Sequence, residues 1–325
     1  MFSTRRMNRN KLFFLLFLLF VYACGDHKKS NIPTVAFLDL LTDETLDQAK
    51  KGFFVALKEE GFHPGNNTLK IIYRNAQNDQ AILVQACDYL IQQQPDLIAT
   101  NPTLSTITAV QNEKSIPIFM MVSPSPELMK LLDATGKSPA NLFGTYETLD
   151  YIDTAVLLIK QLLPETKKIG TIFNQSEPQS VDALNKIELA CKQNGMELVK
   201  VPVNNSNETQ LAVQVLIGKN IEVFFALPDN TVFSSMEVIV KSCDEAKIPV
   251  FTSEEGLVKR GAVAAFGADM FQWGYQSGKQ AAQFLKTHSV NGLQPERVHV
   301  RRKVFNKEKA LFFHLKIDST FTPVN

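Results

Sequence analysis

The sequence predicts an α/β protein of two similar Rossmann-like lobes, each a parallel sheet flanked by helices, with a hinge between them. Two observations carry this. From residue 33 onward short β-rich runs alternate with amphipathic helical stretches, the pattern of βαβ units. The order of elements in the first half then recurs in the second, and such repeats decide a fold before any local detail does. With 325 residues, 45% of them hydrophobic and 21% charged, the chain can bury one or two sizeable cores.

The first element is a leader. Arg5, Arg6, Arg9 and Lys11 precede twelve unbroken apolar residues, Leu12 to Ala23. A membrane span needs about twenty, whereas a charged start, a short apolar run and a small residue at the cut describe a secretory signal. Ala23 is followed by Cys24 in Val-Tyr-Ala-Cys, which resembles the lipobox of bacterial lipoproteins. Residues 1–23 are thus expected to be a lipoprotein signal peptide and Cys24 the lipidated residue; the alternative is an ordinary signal with an incidental cysteine. The polar stretch to Pro33 reads as a tether, residues 24–33. Lipid chains contribute about 0.8 kcal/mol per buried CH₂, so a multiply acylated Cys24 would hold the chain on a membrane. Without the leader's four cations, 30 basic residues face 33 acidic ones. A body this near neutral carries no electrostatic footprint for nucleic acid.

Ten strands are expected in order: Thr34–Leu41, Leu69–Tyr73, Leu97–Ala99, Pro117–Val122 and Leu142–Gly144, then Lys168–Phe173, Glu197–Val203, Val223–Ala226, Pro249–Thr252 and Ala262–Phe266. The helix Thr45–Glu60 stops at Gly61 and the helix Gln80–Gln93 before Pro95, as helix stop signals require. The duplication has three anchors. Ile116-Pro117-Ile118-Phe119 reappears as Ile248-Pro249-Val250-Phe251, Val35–Leu40 corresponds to Ile169–Asn174, and Gly61 corresponds to Gly195. The expected lobes are discontinuous: 34–144 with about 271–297, and 145–270 with about 298–325. The helix Phe271–Lys286 belongs to the first and the strand Val298–Phe305 to the second. Cys87, Cys191 and Cys243 lie in helical, partly apolar stretches with no CxxC and no His at ligand spacing. They read as buried small hydrophobes, with no metal and no cofactor.

Ligands of open α/β sheets bind beyond the carboxyl ends of the strands, so two facing lobes place the site in the cleft between them. That rule selects Asn101, Thr103, Ser105, Thr106 and Ser123 from the first lobe. From the second it selects Asn174, Glu177, Ser180, Asp229, Asn230 and Glu254. The cleft loops hold hydroxyls, amides and carboxylates but no His, Cys, Lys or Arg, and the chain has no G-x-S-x-G elbow, Walker-A sequence or G-x-G-x-x-G after a strand. No enzyme is expected, although a carboxylate pair such as Glu177 and Asp229 is compatible with acid/base work. The set suits a small zwitterion. Hydroxyls and free N–H groups at a helix start hold a carboxylate, and Asp229, Glu177 or Glu254 would hold an ammonium. Each of these residues is equally readable as a helix cap. Met270 and Trp273, with Phe143, Tyr146, Phe266 and Phe271, sit where the chain crosses between lobes and are candidates for an aromatic wall.

Several segments together resemble a known family. They are Ala49–Phe53 with Leu57–Phe62 (AKKGF and LKEEGF), Tyr73–Gln80 (YRNAQNDQ), Pro95–Ile98, Asn174–Ser180 (NQSEPQS), Pro228–Val232 (PDNTV) and Val258–Gly267 (VKRGAVAAFG), which continues into Gly274–Lys279. The resemblance is to the TrpX-like solute-binding lipoproteins of ABC importers, which have the type I periplasmic binding protein fold. It implies hinge closure on a small organic solute, often an aromatic amino acid, and delivery to an ABC permease with a cytoplasmic ATPase. It also implies a monomer on the extracytoplasmic face of a bacterial membrane. The chain departs from the family at Asp39–Asp43 and at Ser123–Glu127, where a Glu-His-Pro type turn and an Asp-Pro pair are usual. A sensory receptor of the same fold, feeding a signalling protein, is the alternative role.

Overall fold

The computed structural model describes residues Ile32 to Val324. The leader, Cys24 and the tether up to residue 31 lie outside the described residues, and among the described residues no helix is long and apolar enough to cross a membrane.

The first sheet contains β1 (Thr34–Asp39), β2 (Lys70–Asn75), β3 (Leu97–Asn101), β4 (Ile118–Pro124) and β5 (Leu142–Glu147). The second contains β6 (Lys168–Asn174), β7 (Glu197–Val203), β8 (Val223–Ala226), β9 (Val250–Thr252) and β10 (Ala264–Ala268). All ten expected runs are strands, and within each set every pairing is parallel. They read clearly because strands covered on both faces are near-continuous apolar runs. β3, β4 and β8 have no exposed residue at all.

The helices between them are α1 (Glu44–Glu59), α2 (Gln80–Gln92), α3 (Thr103–Asn112), α4 (Ile152–Leu162), α5 (Pro178–Gln193), α6 (Thr209–Gly218), α7 (Asn230–Ser234), α8 (Met236–Glu245) and α9 (Glu255–Lys259). After them come α10 (Met270–Thr287), β11 (Glu296–Arg297), β12 (Arg301–Asn306), α11 (Lys307–Phe312) and β13 (Thr322–Val324).

Spatial order makes the duplication visible. The sheets run β11-β5-β4-β3-β1-β2 and β13-β12-β10-β9-β8-β6-β7, so the first five strands of each half are arranged alike. The sequence anchors fall at equivalent places: Phe119 on β4 and Phe251 on β9 are both buried, and Gly61 and Gly195 follow α1 and α5 with φ of +96° and +67°. Glycine adopts that left-handed turn without steric penalty, which is why both helices stop there.

The chain passes between the sheets three times, after β5, after β10 and after β11. β11 pairs with β5 in the first sheet, whereas β12 pairs antiparallel with β10 in the second. The C-terminal strand therefore begins at Arg301 and not at Val298, because Val298 to Val300 form the third crossing. α10 returns from the second sheet to lie on α1. Its backbone approaches so closely that a Cβ on Gly274 would stand 1.8 Å from the Ala49 carbonyl oxygen, and one on Gly278 2.5 Å from that of Phe53. Cys87, Cys191 and Cys243 are free and buried, and burial pushes all three thiols up to about 12.

Candidate functional site

The carboxyl ends of both sheets face one cavity. Its walls leave a free volume of about 20 Å³, room for about one water, so the side chains that line it must draw back for a larger solute to enter. The first sheet's loops supply Pro102, Thr103, Val122, Ser123 and Pro124. The second's supply Gln179, Pro228, Asn230, Phe233 and Glu254. The crossings supply Glu147, Leu149, Met270 and Trp273. A larger concavity along the outer face of α10 is a surface groove whose charged side chains already pair with one another, Lys279 and Lys286 both on Glu60.

Of the residues selected from sequence, Thr103, Ser123, Asn230 and Glu254 line the cavity. The other seven form the layer behind it. In the first lobe, Thr106 links the Thr100 and Ser123 hydroxyls at 2.9 and 3.0 Å, Ser105 donates to the Asn101 carbonyl, and the Asn101 amide donates to Asp39. Asp39 is buried and also receives Lys50 and Tyr73; burial pushes its carboxyl up to about 6 against the pull of Lys50. This layer fixes the loops but presents little to a ligand.

The second lobe does the same with carboxylates. Asp229 caps α7 by accepting from Val232 N–H at 3.0 Å, while its other oxygen accepts from Asn174 N–H at 2.7 Å and the Ser180 hydroxyl at 2.5 Å. Asn174 in turn donates to Thr231. Glu177 accepts from the Gln179 side-chain amide at 2.5 Å and from Asn230 N–H at 2.9 Å through a single oxygen. Burial raises both carboxyls, Glu177 with the added repulsion of Asp229. An ammonium held by Asp229 or Glu177 is therefore not what this geometry offers. Their oxygens serve backbone and neighbouring side chains, as the cap reading allows.

Glu254 differs. One oxygen accepts from the Tyr151 hydroxyl at 3.0 Å and the Ser253 hydroxyl at 3.2 Å, while the second, Oε2, is buried without a partner. Burial pushes this carboxyl up to about 8, with Glu147 adding repulsion. In the opposite wall α3 starts at Thr103 directly behind Pro102, and no side chain caps it. The first N–H groups of a helix and its dipole form a site for a carboxylate.

The remaining wall is apolar. Trp273 donates its indole N–H to the Thr145 carbonyl at 2.9 Å, which pins the ring. Met270, Phe233, Leu149 and Val122 complete the lining. Of the aromatic candidates at the crossings Trp273 reaches the cavity, whereas Phe143, Tyr146, Phe266 and Phe271 do not line it. Glu147, also unselected, holds the crossings together: Arg301 grips it at 2.6 Å and Arg297 at 3.0 Å. The sequence signal for Gln179 was available, since it lies next to Ser180 at a helix start, and Phe233 follows Asn230 by three residues on the same short helix. Which of the neighbours turns inward depends on the helical phase.

The lobes touch across the cleft. Arg260 of the second lobe meets Asp43 of the first at 2.6 Å, and a Cβ on Gly256 would stand 2.3 Å from the Thr45 methyl. With these contacts made, the two lobes are closed on each other. A complex with L-Trp from Streptococcus pneumoniae superposes with a TM-score of 0.81 at 23% identity, covering 89% of this chain and 96% of that one. A ligand-free, open structure of a substrate-binding protein with adhesive properties from Clostridium difficile gives 0.67 at 28% identity, covering 90% and 99%. The chain is also 35% identical to a tyrosine-binding protein of Clostridioides difficile (strain R20291), over 83% of this chain and 79% of that one. Residues 34–320 match the family described as ABC transporter substrate binding protein. Two lobes closed on a polar-ended apolar cavity, with a family match that runs through both, establish that the chain belongs to the ABC transporter substrate-binding proteins.

Proposed function

We propose that the protein is the lipid-anchored, extracytoplasmic receptor of an ABC importer and that its solute is an amino acid with an aromatic side chain. It is held in the interlobe cleft and presented to a permease coupled to a cytoplasmic ATPase. The observation that carries the solute class is the pairing of ends across one cavity: the unpartnered Glu254 Oε2 in one lobe and the uncapped start of α3 in the other. A zwitterion supplies the ammonium and the carboxylate that these ends lack. Its side chain lies against Trp273, Phe233 and Met270, where aromatic contacts add to burial. The relative named for tyrosine binding supports the same class.

Because each lobe holds one end, only the closed state makes both sets of contacts, and that difference drives closure. The lobes take residues 34–144 with about 271–297, and 145–270 with about 298–325. A binding role, not catalysis, suits a wall that offers Glu147 and Glu254 with no nucleophile and base in contact.

Isothermal titration of the ligand-stripped body, residues 25–325, tests this. An aromatic amino acid should bind one to one, and its decarboxylated amine should bind at least about 100-fold more weakly. Equal binding of the amine, or no binding by any amino acid, would overturn the reading. The anchor is tested by palmitate labelling, which Cys24→Ser should abolish; labelling that persists would remove Cys24 from the proposal.

A further inference from the structure

Three side-chain atoms in the cavity wall are buried without a hydrogen-bond partner: Glu254 Oε2, Gln179 Oε1 and Asn230 Nδ2. The proposed amino-acid reading uses the first. The other two are an acceptor and a donor, Gln179 being 8% and Asn230 1% exposed. Buried polar groups are nearly always hydrogen-bonded, so two such atoms on residues that line one cavity point to a ligand group that completes them.

Their positions say which part of the solute that is. In the second sheet the order is β9-β8-β6, with Glu254 after β9, Asn230 after β8 and Gln179 beyond β6. Adjacent strands lie about 4.8 Å apart, so Gln179 stands roughly 10 Å from Glu254 along the sheet. Gln179 and Asn230 are neighbours, since the Gln179 amide nitrogen and the Asn230 backbone N–H donate to the same oxygen of Glu177. That contact also fixes which way the Gln179 amide faces. The Glu177 oxygen that accepts from Asn230 N–H also receives the NH₂ end, which leaves Oε1 without a partner.

We propose that Gln179 and Asn230 form a donor–acceptor pair that reads a hydroxyl at the far end of the solute's ring, with Glu177 as the positioning residue that sets the polarity of Gln179. A phenol satisfies both with one oxygen: it donates its proton to Gln179 Oε1 and accepts from Asn230 Nδ2. An indole N–H satisfies only the acceptor, and a phenyl ring neither. The preference order is thus tyrosine, then tryptophan, then phenylalanine. This rests on the amino-acid reading above, with the ammonium at Glu254. A site built to hydrogen-bond a hydroxyl rejects the analogue that lacks it far more strongly than an apolar pocket rejects a change of size.

Titration of the ligand-stripped body with tyrosine, tryptophan and phenylalanine tests it. The wild-type protein should prefer tyrosine over phenylalanine by about 50-fold or more. In Gln179→Met, which keeps the length and removes the acceptor, that ratio should fall to about 5 or less while phenylalanine binds within about threefold of its wild-type affinity. In Glu177→Gln the side chain at 177 can donate to Gln179 Oε1 and turn its amide, so the ratio should fall with Gln179 intact. A purely structural loss would weaken all three solutes together. A wild-type ratio within about threefold of one, or a Gln179→Met ratio equal to wild type, overturns the proposal and leaves the amino-acid reading standing. If none of the three binds, both fall. Should Gln179→Met not fold, the wild-type ratio decides alone.

Discussion

Arg260 Nη1 lies 2.6 Å from Asp43 Oδ2, joining the second lobe to the first with both side chains largely buried, at 10% and 3% exposure. Each partner is anchored in its own lobe. Asp43 caps α1 through its other oxygen, and Arg260 also binds Glu237 and the carbonyl of Phe233 in the cavity wall. Because the pair bridges the two lobes, it adds to the free energy of closure and thereby to affinity. Arg260→Gln should weaken solute binding by about 2 kcal/mol, roughly 30-fold, through faster dissociation. Surface plasmon resonance with an immobilised receptor reads that rate directly. An unchanged dissociation rate would mean that closure does not depend on this pair.

Asp229 gives the opposite expectation. Its oxygens hold Val232 N–H, Asn174 N–H and the Ser180 hydroxyl, and it does not line the cavity. Asp229→Ala removes a helix cap and strands two buried donors, at a cost of about 2–3 kcal/mol of stability. The melting temperature should fall by several degrees while the affinity of the folded protein stays within about threefold. A large loss of affinity without a change in melting would place Asp229 in contact with solute after all.

The contrast between Asp229 and Gln179 shows where reading the sequence stops. All ten strands of the two repeats were legible, because a strand buried on both faces is an apolar run whatever surrounds it. The loops that converge on the cleft followed from the strands. Yet within Asn174–Ser180 the side chain that reaches the cavity is Gln179, while Glu177 and Ser180 face the layer behind it. A strand end and a helix start fix this by a rotation of about 100° per residue, and composition carries no record of that phase. The short strands β11 and β13 were missed for another reason. Two or three residues have no periodicity of their own; β11 exists because the third crossing lays Glu296 and Arg297 beside β5.

Glu254 should make binding depend on pH. Burial pushes its carboxyl up to about 8, against an ordinary value of 4.5. The groups that face it are the Tyr151 and Ser253 hydroxyls, which stabilise the charged form, and Glu147, which opposes it. Below about pH 8 the ligand-free carboxyl keeps its proton, which an ammonium must displace. Affinity for a cationic solute should therefore weaken as pH falls from 8, by at most tenfold per unit. The sign for stability is the reverse. The folded state binds this proton more tightly than the unfolded chain, so the ligand-free protein gains from it at low pH and loses that gain as pH rises from about 4.5 through 8. Glu254→Gln should flatten the binding profile and lower affinity at pH 8 by about 1.5–3 kcal/mol. Titrations in buffers of different ionisation enthalpy would register the released proton; none released at pH 7 would show the carboxyl already ionised.

Gly274 should govern how well the third segment of the chain is locked to the first lobe. It sits on α10 where that helix crosses α1, and a Cβ there would stand 1.8 Å from the Ala49 carbonyl oxygen and 2.5 Å from its carbon. These are backbone atoms of a buried helix and cannot swing aside as a side chain would. Gly274→Ala must therefore push α10 away from α1, although alanine is the better helix former by about 1 kcal/mol. Overpacking of this kind costs about 1–3 kcal/mol, so the net change should be destabilising despite the gain in propensity. Trp273 precedes this glycine and presents its ring to the cavity, so the displacement reaches the site as well. The expected outcome is a lower melting temperature with a several-fold loss of solute affinity, read by calorimetry and titration on one preparation. A variant that melts at or above wild type would show that the two helices have room to spare, and would remove the close approach from the reasons for glycine at this position.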